Sequence, residues 1–161
     1  MLDVLFHALT IPLAIMYAQL MEWIIHKYVL HNMGKNKKNW FAFHWHHHHK
    51  NCKKNNGADP HYEQWYAHSS VWKEIIGLTF LLFMHIFLAS FAPFFFITLV
   101  CLSIRYFYLH RKSHIDVEWG KKNLPWHHDH HMGKTQDANW GVTTDWVDRV
   151  AKTRIKYTKE E

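Results

Sequence analysis

The chain has 161 residues, the size of one domain, with 17 His, 9 Trp and a formal charge of +6. Mean hydropathy is −0.30, an average that hides apolar blocks separated by polar ones. Basic residues flank those blocks instead of forming a continuous stripe, which argues against a nucleic-acid partner and fits a membrane surface. The two cysteines, Cys52 and Cys101, lie in unlike contexts and exclude a disulfide framework.

Residues Leu2 to Leu30 read as one long helix, apolar at Leu9, Leu13, Met16, Leu20 and Trp23, with Pro12 as a site for a kink. It is long enough to cross about 30 Å of hydrocarbon. A buried helix in a soluble core is the alternative reading. The run lacks the basic start of a cleavable signal and continues into a histidine motif. Met33 to Trp40 reads as a lysine-rich turn, Phe41 to Lys54 as a short helix, and Asn55 to Pro60 as a loop. His61 to Glu74 is amphipathic, with Trp65, Tyr66 and Trp72 as interfacial anchors. Ile75 to Leu109 holds no acid and one base, Arg105. Its length allows two short spans in a hairpin broken near Pro93, or a re-entrant arrangement.

Four histidine clusters stand between and beside these blocks: His26/His31, His44 to His49, His110/His114 and His127 to His131. On an α-helix, positions i, i+3 and i+4 share a face. His110/His114, His127/His130/His131 and His44/His47/His48 obey that rule. His26/His31 are five apart and need a helix end or a π-helical turn. About ten imidazoles able to converge exceed the four ligands of a structural zinc site and point to two metals. The run His46 to His49 could instead be a solvated polyhistidine stretch, and the isolated His7, His61, His68 and His85 read as non-ligands. Cys52, the one nearby thiol, reads as solvent-side. Glu22, a costly charge within the first span and four residues before His26, could hydrogen-bond a ligand from behind, or could instead snorkel or be protonated. An all-histidine dimetal site against a membrane suggests oxygen chemistry on a lipid.

HX4H at 26–31, the dense second cluster, HX3H at 110–114 and HXXHH at 127–131, followed by Asn139-Trp-Gly-Val-Thr143, resemble the fatty acid hydroxylase/sterol desaturase superfamily of membrane di-iron enzymes. The resemblance covers nearly the whole chain as one domain, 1–161. It implies an all-α fold of about three membrane spans with a cytosolic, helical, histidine-rich metal-binding cap. It implies two Fe ions, with Zn conceivable in purified protein, held by His26, His31, His110, His114, His127, His130 and His131. In the second cluster the family spacing fits His44, His47 and His48, and a shifted alignment favours His48 and His49. Glu22, His128 and Asn139 would stand behind the ligands. The implied reaction hydroxylates or desaturates an unactivated C–H of a fatty acyl or sterol-like lipid, using O2 and electrons from a separate ferredoxin- or cytochrome b5-type protein. Phe80–Phe96 and Tyr106–Tyr108 would line the lipid path. The positive-inside rule places the histidine clusters on the cytoplasmic face. A membrane metal-handling protein is the competing reading.

Overall fold

The computed structural model describes residues 2–157, leaving aside the side chains of residues 2–6 and of Trp65, one of the expected interfacial anchors. Among the described residues every regular element is a helix, with no strand. Helix α1 (Leu2–Ile24) carries Pro12 and runs directly into a π-helix, Ile25–Met33. A second π-helix, His44–His49, leads into α2 (Lys50–Lys54). The segment read as interfacial forms two single turns, Pro60–Tyr62 and Trp65–Ala67, before α3 (Ser69–Met84). A bend and the short α4 (Leu88–Phe91) reverse the chain into α5 (Pro93–Ile115), which Pro93 starts from its first turn. Helices α6 (Val117–Asn123), α7 (Pro125–Met132) and α8 (Trp146–Val150) complete the polar end.

Two helices are long and apolar enough to cross a membrane, residues 7–33 and 93–115. About three were expected. The third, α3, has 16 residues and reaches about 24 Å, short of a full crossing at about 30 Å. These helices are not the buried core of a soluble protein. Leu9 is 64% exposed, Phe83 66% and Ile104 65%, an apolar belt that water would not tolerate and lipid would cover. The buried side chains gather instead at the polar end, where histidines outnumber aliphatic residues.

A loop from Ala138 to Thr143 is pinned across the top of α1. Glu22 accepts from the Val142 and Thr143 backbone N–H groups at 2.5 and 2.9 Å and from the Thr143 hydroxyl at 2.8 Å. The fully buried Asp148 accepts from the N–H groups of Trp140 (2.9 Å) and Gly141 (2.7 Å), the Trp23 indole (3.0 Å) and the Thr153 hydroxyl (2.6 Å). Asn139, at φ 57°, clasps the tail: its side chain accepts from the Ile155 N–H at 2.7 Å and donates to the Ile155 carbonyl at 2.8 Å. Arg154 pairs with Asp129 at 2.6 Å, tying the same tail to α7.

Candidate metal centre

The two π-helices explain where the histidines point. Bonding from i to i+5 winds more residues into each turn than an α-helix does, so positions four and five apart share a face. His26 and His31 therefore face one point. In the second cluster the aligned set becomes His44, His48 and His49, all buried, while His47 is turned outward and exposed. The 44/47/48 set expected from α-helical spacing is corrected by this widening. His46 also leaves the cluster, and its ring contacts the Lys35 carbonyl at 2.9 Å.

The imidazoles form two neighbouring nests. In the first, His26, His31, His44, His49 and His130 bring their ring nitrogens within 4.8 Å of one another. Nε2–Nε2 separations are 3.0 Å for His26–His44 and His31–His49, 3.1 Å for His130–His49, and 3.2 Å for His31–His130 and His49–His44. The second gathers His110, His114, His127 and His131 within the same limit, with His114 and His127 Nε2 atoms 3.0 Å apart. His48 joins it, its ring 4.5 Å from His114 and 4.7 Å from His131, centre to centre. Adjacent residues on a helix point in different directions. The pairs His48/His49 and His130/His131 accordingly split, one member to each nest, and the rings of His49 and His131 lie 4.4 Å apart where the nests meet.

Hydrogen bonds fix which nitrogen carries the proton. A carbonyl can only accept, so His26 Nδ1 donates to Trp140 (2.6 Å), His130 Nδ1 to Ala138 (2.6 Å) and His114 Nδ1 to Gly57 (2.9 Å). His48 Nδ1 donates to Asp59 (2.8 Å) and His110 Nδ1 to Glu74 (2.7 Å), while the Tyr62 hydroxyl donates to the other Glu74 oxygen. Each Nε2 is then a bare lone pair aimed into its nest. Those of His48 and His110 have no hydrogen-bond partner, nor has either nitrogen of His131. A neutral ring can turn an N–H toward one neighbour at 3 Å, but the Nε2 atoms of His48 and His110 and both nitrogens of His131 would still be left to a proton or a cation. Protonation is disfavoured, because burial holds His44, His49, His127, His130 and His131 well below the usual histidine range. The donor set therefore fits metal cations, and imidazole suits Fe, Zn, Cu and Ni.

Several supporting groups lie outside the expected set. Asp59 caps the turn at Pro60 and accepts from His48, from the Asn51 amide at 2.9 Å and from the His61 N–H at 3.1 Å. Burial pushes its carboxyl up, but these bonds outweigh that and hold it below the ordinary range. The Asn55–Pro60 loop was visible as a turn, yet nothing local marked Asp59 as facing a histidine. Glu74 was legible only as the last acid before a long apolar run. Gly57 holds φ 103°, a region that favours glycine, and so aims its carbonyl at His114. Glu22 does not reach His26; it secures the loop whose Trp140 carbonyl does. Asn139 works from the same loop. His128 is half-buried beside Gly57 and outside both nests. Cys52, expected at the solvent side, is fully buried. Its Sγ lies 3.4 Å from His114 Nδ1 and 3.8 Å from His48 Nδ1, behind the inward-facing nitrogens. Burial raises its thiol well above the usual range, so it stays a neutral thiol.

A cavity of about 570 Å³ runs between α1, α3 and α5. Its walls are mostly apolar, among them Ile25, Val29, Phe80, Leu81, Leu99 and Leu102, and it reaches His26 and His44 of one nest and His110 of the other. Phe80 and Tyr106 of the expected lipid path line it, whereas Tyr108 is exposed on another face.

Apolar helices capped by two histidine nests define a membrane-type protein built to hold metal. The sequence matches the fatty acid hydroxylase family over residues 11–153, and the chain belongs to that family, part of the fatty acid hydroxylase/sterol desaturase superfamily. The family is one of metal-dependent, lipid-modifying membrane oxidoreductases. No curated protein and no solved structure matches the chain.

Proposed function

We propose that this protein is a di-iron oxygenase that hydroxylates or desaturates an unactivated C–H of a lipid chain with O2 and externally supplied electrons. The observation that carries the reading is the meeting of two inward-facing imidazole nests with one end of an apolar cavity. A metal-handling protein has no use for such a cavity.

In this reading His26, His31, His44, His49 and His130 hold one iron, and His48, His110, His114, His127 and His131 hold the other. The irons supply O2 activation and the oxidising power to break a C–H bond. The protein's part is positional. Asp59 and Glu74 hold His48 and His110 by their Nδ1 protons, which fixes ring orientation and raises ligand basicity. The Trp140, Ala138 and Gly57 carbonyls do the same for three more rings. The cavity walls exclude water and lay one stretch of hydrocarbon against His26, His44 and His110. Glu22, Lys73 and Glu74 also line the cavity. The lysines around the nests (Lys50, Lys53, Lys54, Lys121 and Lys122) support a cytoplasmic location for this end under the positive-inside rule. They also offer a basic face to an acidic ferredoxin- or cytochrome b5-type donor.

The test is metal content and Mössbauer spectroscopy on detergent-purified protein from iron-replete cells, followed by lipid analysis of the same cells. Two coupled irons per chain and an oxidised lipid absent from control cells are expected. His114→Ala or His130→Ala should remove about one metal per chain and abolish the product. One uncoupled metal per chain, or full activity in both variants, would sink the proposal.

A further inference from the structure

The cavity does not run the length of the apolar helices. Its α1 wall begins at Tyr17 and ends at Leu30, and its other end against the α3–α4 bend is His85. These two residues meet. His85 Nδ1 donates to the Leu81 carbonyl at 2.7 Å, so its Nε2 is an acceptor, and the Tyr17 hydroxyl donates to it at 2.8 Å. The Tyr17 ring also packs on Phe95 of α5, 5.7 Å between centres. One bonded pair thus joins α1, the end of α3 and α5 at the point where the open space stops. A histidine and a tyrosine within apolar helices are costly unless paired, and such a pair is a functional feature by default. Here the polar atoms are turned on each other, so ring surface faces the cavity.

We infer that Tyr17 and His85 form the floor of the cavity and set how far a hydrocarbon chain extends past the histidines. The inference rests on the cavity being the substrate site. Tyr17 stands nine positions before His26 and His85 eleven positions after Glu74, so the chain beyond the histidine end has about 14–17 Å. A substrate whose tail is longer must bend, leave through the helices or displace the pair.

Binding separates the two ideas. Full-length detergent-solubilised protein is titrated with straight-chain fatty acids of increasing length, read by displacement of a fluorescent polyene fatty acid. Gly77 lines the cavity and a Cβ placed there meets nothing within 4 Å, so Gly77→Phe starts its ring from an unobstructed position and takes up space in the cavity. It should abolish binding of every length. Tyr17→Ala and, independently, His85→Leu should move the preferred length upward, with about tenfold tighter binding of an acid two methylenes longer than the wild-type optimum. Unchanged binding in Gly77→Phe would show that the cavity is not the lipid site and would overturn both readings. Loss of binding in Gly77→Phe with a wild-type length profile in the other two would overturn the floor alone. Circular dichroism and the thermal midpoint identify any variant that fails to fold, and the other floor variant then decides.

Discussion

Asp59 offers nothing to a metal directly, yet it is buried at 1% exposure with His48 2.8 Å away. Losing a carboxylate in this role typically weakens metal affinity about 10–100-fold. We therefore expect Asp59→Ala, dialysed against a weak chelator, to retain metal in one nest and lose it from the nest that His48 serves, measured as metal per chain. A second residue-level expectation concerns acid. Burial lowers His44, His49, His127, His130 and His131 in the folded state, while the unfolded chain protonates them near the ordinary value of about 6.5. Protons thus favour the unfolded chain. The metal-free protein should be most stable above that pH and should weaken as pH falls through it, by up to about 1.4 kcal/mol per pH unit for each histidine concerned. Thermal midpoints of the metal-free protein between neutral pH and mild acid check this, and a flat profile would contradict it. The histidine clusters were legible because histidines repeat at helical spacing. Their hydrogen-bond partners were not: His48 and Asp59 are 11 residues apart and His26 and Trp140 are 114 apart, and no local pattern encodes such meetings.

At the scale of elements, the π-helical segments decide register. The five-residue step from His26 to His31 left a helix end and a π-helical turn both open, and the structure supplies the π-turn. The same device in His-Trp-His-His-His-His was hidden, because consecutive histidines fit any phase. Inserting one alanine after His47 should carry His48 and His49 about 100° out of place relative to His44, with metal lost from both nests. His47→Ala, which changes an exposed side chain without touching register, should keep full metal content. Equal metal in the two variants would mean that the π-turn is not what sets the phase. The loop of Trp140 to Thr143 was readable as a fold-back and its α8 as a short helix, but Asp148, which holds that loop, looked like one acid among several. Replacing it with Ala strands at least the Trp140 and Gly141 N–H groups, and about 1–3 kcal/mol of stability for each should be lost as a lower thermal midpoint.

At the scale of the whole molecule, apolar surface and charge are separated along one axis. Segregation of this kind was plain in the sequence; whether the stretch before and after Pro93 makes two spans or a re-entrant pair was left open there, and that α3 is too short to cross alone shows only in the structure, where the chain turns at His85. The separation makes a topological prediction. In sealed vesicles of known orientation, His47→Cys should react with a membrane-impermeant maleimide only from the cytoplasmic side. Cys101, exposed on α5 within the apolar belt, should react with a lipid-soluble maleimide and resist the impermeant one from both sides. Labelling of residue 47 from outside would invert the proposed orientation.

The inward-facing nitrogens are held in place by backbone carbonyls and carboxylates, not by the ion. A nest assembled in advance from nitrogen alone is a poor judge of its guest. Divalent affinity for such donors rises from iron through nickel to copper, so thermodynamics favours the wrong occupant over the proposed one. Selection then passes from the protein to its surroundings: the free concentration of each metal when the chain folds, and the order in which ions arrive, would decide which copies become competent. A cell under copper or zinc excess would accumulate well-folded, correctly inserted and silent protein.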